Sequence, residues 1–172
     1  MAKIPEKLIN FLIYEDGANL VGTADVTLPD LEAMTETIKG AGLAGEISSP
    51  VLGHYGSQTM EINWRTLDVP AIHLAAPRSF LFDLREANQV KDSSSGEYIV
   101  QGVKVVVRGV PKNTGLGKAD VGTGSGTKTT LEVDYIKITI DGKDVAEIDK
   151  YNYKAVVEGK DYLKDVATVL GV

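Results

Sequence analysis

The stretch Leu131-Glu132-Val133-Asp134-Tyr135-Ile136-Lys137-Ile138-Thr139-Ile140-Asp141-Gly142 decides the fold class. Apolar side chains occupy the odd positions from Leu131 to Tyr135 and the even positions from Ile136 to Ile140. Period two is the signature of a strand with one buried face. The change of phase between Tyr135 and Ile136 predicts a β-bulge or a strand whose buried face switches. Asp141-Gly142 is a two-residue hairpin signal, so a return strand is expected from about Lys143 to Ile148.

Outward from this hairpin the same period recurs. Phe80, Phe82 and Leu84 share one face of Phe80–Arg85, and Val103, Val105 and Val107 share one face of Val103–Arg108. Further strands are expected at Leu8–Tyr14, Leu20–Leu28, Met34–Lys39 and Thr59–Leu67; in the last, Met60, Ile62 and Trp64 form the buried side. Two segments read as helices. Asp68–Ala76 is short. Asp161–Leu170 carries Leu163, Val166, Ala167 and Leu170 at helical spacing, with Asp161 placed to cap its start and Gly171 to end it. Two glycine-rich loops interrupt the pattern. One runs from Gly40 through Gly45 and Pro50 to Gly56, the other from Pro111 to Thr127. Loops of that length are functional, or order only on meeting a neighbour.

The fold class expected is therefore mainly β: a barrel or sandwich with a flanking C-terminal α-helix and long inter-strand loops. The 172 residues suit one domain, and 43% apolar with 24% charged residues suits a globular chain. Without cysteine, disulfides and thiolate chemistry are excluded. The start, Met1-Ala2-Lys3-Ile4-Pro5-Glu6, does not read as a signal peptide. Net charge is −6, with no basic run of the kind that binds phosphate backbones tightly.

No catalytic constellation emerges. In Gly122-Thr123-Gly124-Ser125-Gly126-Thr127-Lys128, Thr127 separates glycine from lysine, and a strand rather than a helix follows; a phosphate loop needs the reverse. A flexible linker is the expectation there. His54 reads as a surface-loop residue and His73 as partly packed, neither at a metal-ligand spacing. Asp141, Asp144, Glu147 and Asp149 read as a solvated acidic edge. Neither cofactor nor metal is expected.

The ordered series of short segments is more specific than any one of them. Leu28–Glu46, Gly53-His54-Tyr55-Gly56-Ser57, Asn63-Trp64-Arg65-Thr66-Leu67, Phe82–Ala87, Ile140-Asp141-Gly142-Lys143 and Glu147–Tyr153 together resemble the major tail tube proteins of contractile-tailed phages and related phage-tail-like bacteriocins. The resemblance covers nearly the whole chain, residues 1–172, as a single tail tube domain. It implies self-assembly into hexameric rings stacked as a tube, with sheath, baseplate and tape-measure proteins as partners and DNA as passing cargo. It also implies residence in the virion tail after assembly in the host cytoplasm. Gly40, Ala41, Gly42, Gly45, His54, Tyr55, Arg65 and Arg85 are the expected inter-subunit contacts. On this reading acidic strand faces line the lumen and repel DNA. The alternatives are a type VI secretion-like tube protein and a small β-fold ligand-binding module.

Overall fold

A computed structural model describes residues 2–19 and 22–172. In chain order the strands are β1 (Lys3–Glu15), β2 (Ala18–Asn19), β3 (Thr23–Thr27), β4 (Ala33–Ile38), β5 (Ile47–Tyr55) and β6 (Thr59–Trp64), followed by helix α1 (Val69–His73). Then come β7 (Phe80–Asp92), β8 (Tyr98–Gly115), β9 (Thr127–Ile140), β10 (Lys143–Asp149), β11 (Lys154–Val157), β12 (Lys160–Asp161) and helix α2 (Lys164–Leu170). All pairings are antiparallel.

The main sheet runs β12-β11-β10-β9-β8-β7-β1-β2 and forks at β9. One half of β9 (127–132) pairs with β6, which carries β3 on its other side; the remainder (135–140) pairs with β10. The fork falls at the anticipated change of phase. Arg108 lies opposite Tyr135 and Gly109 opposite Val133, so Asp134 is the extra residue of a bulge. Val133 and Ile136 are consequently both buried. The inner side chains of β6, β7, β8 and β9 meet in one core with Ala71 and Leu74 from the α1 region. Trp64 is buried there, its indole N–H donating to Thr129 Oγ1 at 3.1 Å. Asp141-Gly142 forms the hairpin turn, with Ile140 opposite Lys143 and positive φ at both turn residues, as a type I′ turn requires.

Several expectations need correction. The strand anticipated at Leu20–Leu28 is β3, Thr23–Thr27; Leu20 and Val21 lie outside the described residues. The loop Gly40–Gly56 is only half a loop, because Ile47–Tyr55 is β5. Pro50 concealed it, yet proline is tolerated on an unshared strand, and here it stands opposite Thr35 in an isolated two-stranded arm. Likewise Pro111–Gly115 extend β8, with Lys112 bulged beside the proline. What remains, 116–126, is folded rather than a free linker. The Lys118 N–H donates to Ser125 O at 2.7 Å, and the Ser125 N–H donates to Arg65 O at 2.9 Å. Gly117 has φ +83, and a Cβ there would lie 2.2 Å from Ser125 O.

At the C-terminus α2 begins at Lys164, later than expected. Asp161 does not cap it; its carboxylate accepts from the N–H groups of Leu163 (3.0 Å) and Ala155 (3.4 Å). Only part of the expected apolar stripe is covered. Leu163 is buried, Val166 and Ala167 are half-buried, and Leu170 is exposed.

Candidate assembly surfaces

Two surfaces carry side chains or backbone groups that the isolated chain leaves unused, and a third carries charges that the chain pairs internally. The first is the arm formed by β4 and β5. Its tip holds Gly40, Ala41, Gly42 and Gly45, all exposed, with the Leu43 N–H closing the turn on Gly40 O at 3.2 Å. Met34, Ile38, Leu43, Ile47 and Leu52 are large apolar side chains left exposed along this arm. A monomer gains nothing from such a row, whereas an interface buries it.

His54 and Tyr55 lie at the opposite end of the same arm, so the structure does not bring them to the Gly40–Gly45 tip. Nine residues of strand span about 30 Å. Neither is a free surface-loop residue: both are half-buried on β5. They border a cleft of about 230 Å³ together with Gly53, Lys150, Tyr153 and Leu163. The His54 ring meets Tyr153 edge-on at 6.4 Å, and its Nδ1 is 2.8 Å from Leu52 O. Lys150 Nζ donates to Gly56 O at 2.8 Å, and burial lowers the lysine pKa.

The second surface is the end of the ribbon β1-β7-β8. Outside Tyr14 and Glu15, which pair with β2, β1 has β7 as its partner and a free opposite edge among the described residues. Ile4, Leu8, Ile9 and Leu12 on β1 and Tyr98 and Val100 on β8 are exposed. The free edge carries Lys3, Pro5 and Lys7, and Glu6 and Ile9 are extra residues at breaks in the register. Lysine, proline and bulges are the means by which an edge strand resists indiscriminate pairing.

The third surface is the outer face of the sheet. Arg85, one of the expected inter-subunit contacts, pairs within the chain with Asp83 at 2.9 Å and stacks on Tyr14 at 4.7 Å. It begins a ladder across the strands. Lys104 also meets Asp83 (3.2 Å), and Arg108 meets Asp134 (2.6 Å) and Asp149 (3.6 Å). Lys137 meets Asp144 (2.8 Å), and Lys154 meets Glu147 (2.7 Å). Five bases thus face five acids, and the ladder is neutral overall.

The supposed solvated acidic edge is therefore mostly paired within the chain, and Asp149 is buried. Burial raises the Asp149 pKa, but hydrogen bonds from Asn152, the Arg108 charge and the Tyr151 N–H outweigh it and hold the carboxyl below its ordinary range. At Asp83 burial is likewise outweighed by Arg85 and Lys104. Such compensated carboxylates stay ionised and bound, which suits structure and not proton transfer.

Arg65 follows β6 and is exposed, with its backbone doing the identifiable work. Its N–H donates to Gly22 O (3.1 Å), and its carbonyl receives Ser125. Sequence reasoning missed Gly53, Lys150 and Tyr153 around the cleft. The signal available was thin: a glycine beside the expected contacts His54 and Tyr55.

The chain is similar to known proteins along almost its whole length. The model of the phage tail tube protein FII family matches residues 5–171. The chain belongs to that family. The tail tube protein of Escherichia phage P2 is 29% identical over 174 residues, covering 98% of this chain and 99% of that protein. The major tail tube protein of Serratia phage KSP20 is 26% identical over 176 residues, covering 98% of each. Among solved structures, the sheath/tube terminator of the extracellular contractile injection system PVC, in its extended state, has a similar fold. It aligns with TM-score 0.53 at 11% identity, over 78% of this chain and 96% of that one. A phage tail tube protein is a structural component of the virion tail and not an enzyme.

Proposed function

We propose that the whole chain acts as one tube domain, assembling with copies of itself into hexameric rings that stack as the inner tube of a contractile tail. The observation that carries this reading is the presence of the arm and the open ribbon on one chain. Both expose apolar side chains, both have unshared strand edges, and they are different surfaces. Contacts between unlike surfaces close into a ring when the rotation permits and otherwise continue as a filament. The free edge of β1 suits lateral pairing with a neighbour, as in strand addition, and the arm suits the axial contact. Gly40, Ala41, Gly42 and Gly45 then belong to the axial interface, with His54 and Tyr55 at the root that supports it. Arg65 borders the 116–126 loop, and Arg85 contributes through the ladder.

Sheath, baseplate and tape-measure proteins are the partners such a tube requires, and the host cytoplasm is where it assembles. DNA passes without specific binding. Net −6 and a sheet face whose bases are already paired favour sliding over adhesion. The test is electron microscopy of the purified protein alongside light scattering. Six-fold rings or hollow tubes that Gly42→Asp abolishes support the reading, and a monomer that persists at high concentration even with preformed baseplates as seeds refutes it.

A further inference from the structure

The β4-β5 arm joins the body through an interrupted ladder. Ala33 faces Tyr55, but the next partner of β5 is Pro50, opposite Thr35. Residues Val51–His54 are therefore an excursion set against the single residue Met34. Within it Gly53 has φ +67, and the space where its Cβ would stand is occupied: Leu163 Cδ2 would lie 2.6 Å away and Cγ 2.7 Å. Leu163 is the residue from which α2 departs, and it is 5% exposed.

The rest of α2 is held weakly. None of Lys164–Leu170 is fully buried, and Val169 and Leu170 stand in solvent. The arm beyond its root is held weakly too, since the outer arm is exposed on both strands. Two poorly anchored elements thus share one seat, with the 230 Å³ cleft beside it as room to move.

We infer that the Leu163–Gly53 seat couples the arm to the C-terminal helix, so that fixing the direction of one fixes the other. A shared anchor gives a reciprocal coupling free energy: whatever orders the arm orders α2, and the reverse. This rests on the tube reading for its purpose. When the arm docks on the next copy, α2 takes up one orientation, and its exposed rim of Val169, Leu170 and Val172 is presented in fixed form on assembled tube only. The subunit would then signal its own incorporation at a surface remote from the arm tip.

The experiment is amide hydrogen exchange by mass spectrometry on dispersed full-length protein, comparing wild type, Leu163→Ala and Gly53→Ala, with β7–β9 as the internal reference. Leu163→Ala should raise exchange in the arm, and Gly53→Ala should raise exchange in Lys164–Leu170, each about fivefold or more relative to the reference. An unchanged α2 in Gly53→Ala, or an unchanged arm in Leu163→Ala, overturns the inference. If Gly53→Ala fails to fold, Leu163→Val takes its place: arm and α2 must loosen together, and loosening of α2 alone is the contrary result. The readout lies within one chain, so a failure here leaves the tube reading standing, and a protein that forms no tube can still show the coupling.

Discussion

Arg108 Nε donates to Asp134 Oδ1 at 2.6 Å, directly across the bulge where β9 changes its buried face. The extra residue of the bulge is thereby held by the strand it interrupts, and the same guanidinium reaches Asp149 and stacks on Tyr135 at 5.3 Å. In a double-mutant cycle with Arg108→Ala and Asp134→Ala, a coupling of about 1 kcal/mol is expected from urea unfolding, the upper part of the range for a partly exposed pair. Additive effects would show that the bulge is held by the β9 backbone alone.

Asp149 gives the fold an acid limit. Its folded-state pKa is depressed below the ordinary 3.8. A depressed carboxylate contributes stability above its unfolded pKa and loses it as pH falls through the folded value. Stability should therefore be level above about pH 5 and decline below about pH 4. Asp149→Asn should cost about 1–2 kcal/mol at pH 7 and make the acid decline shallower. Thermal melts from pH 7 to pH 3 check both.

The loop 116–126 is a packed feature, and Gly117 is its tightest point. Gly117→Ala places a methyl on the Ser125 carbonyl and forces alanine into a left-handed conformation. The conformational cost alone is about 1–2 kcal/mol, and the overlap adds to it. A melting temperature equal to wild type would show that Gly117 does not pack closely on Ser125.

Much of this fold was legible in the chain. The phase change at Tyr135–Ile136, the Asp141-Gly142 turn and the Met60-Ile62-Trp64 face each rest on neighbours in sequence, where alternation leaves little choice. Two of the misses, β5 and the end of β8, share a physical reason. Pro50 and Pro111 read locally as breaks, but one sits on an arm strand with an unshared edge and the other beside a bulge, where a missing N–H costs little. For the candidate contacts, the Gly40–Gly45 tip was visible as a run of small residues. The fate of Arg85 was not, because Asp83 and Lys104 meet it only through strand register. Leu163 on Gly53 was invisible too, since 110 residues of chain separate seat and occupant.

Shortening the arm separates assembly from stability. Replacing Lys39–Glu46 by Asn-Gly removes the exposed tip and leaves the core untouched. Unfolding free energy should stay within about 0.5 kcal/mol of wild type, as for other surface changes, while high-molecular-weight species disappear from light scattering. Equal loss of both would mean that the arm belongs to the fold of the subunit and not to its interface.

The most direct measurement is negative-stain electron microscopy of the purified wild-type protein across a concentration series. Hollow tubes or six-fold rings with a central channel are the predicted result. A uniformly monomeric field at the highest concentration, unchanged when preformed tail baseplates are added as seeds, would contradict the assignment of the arm and the open ribbon as self-assembly surfaces.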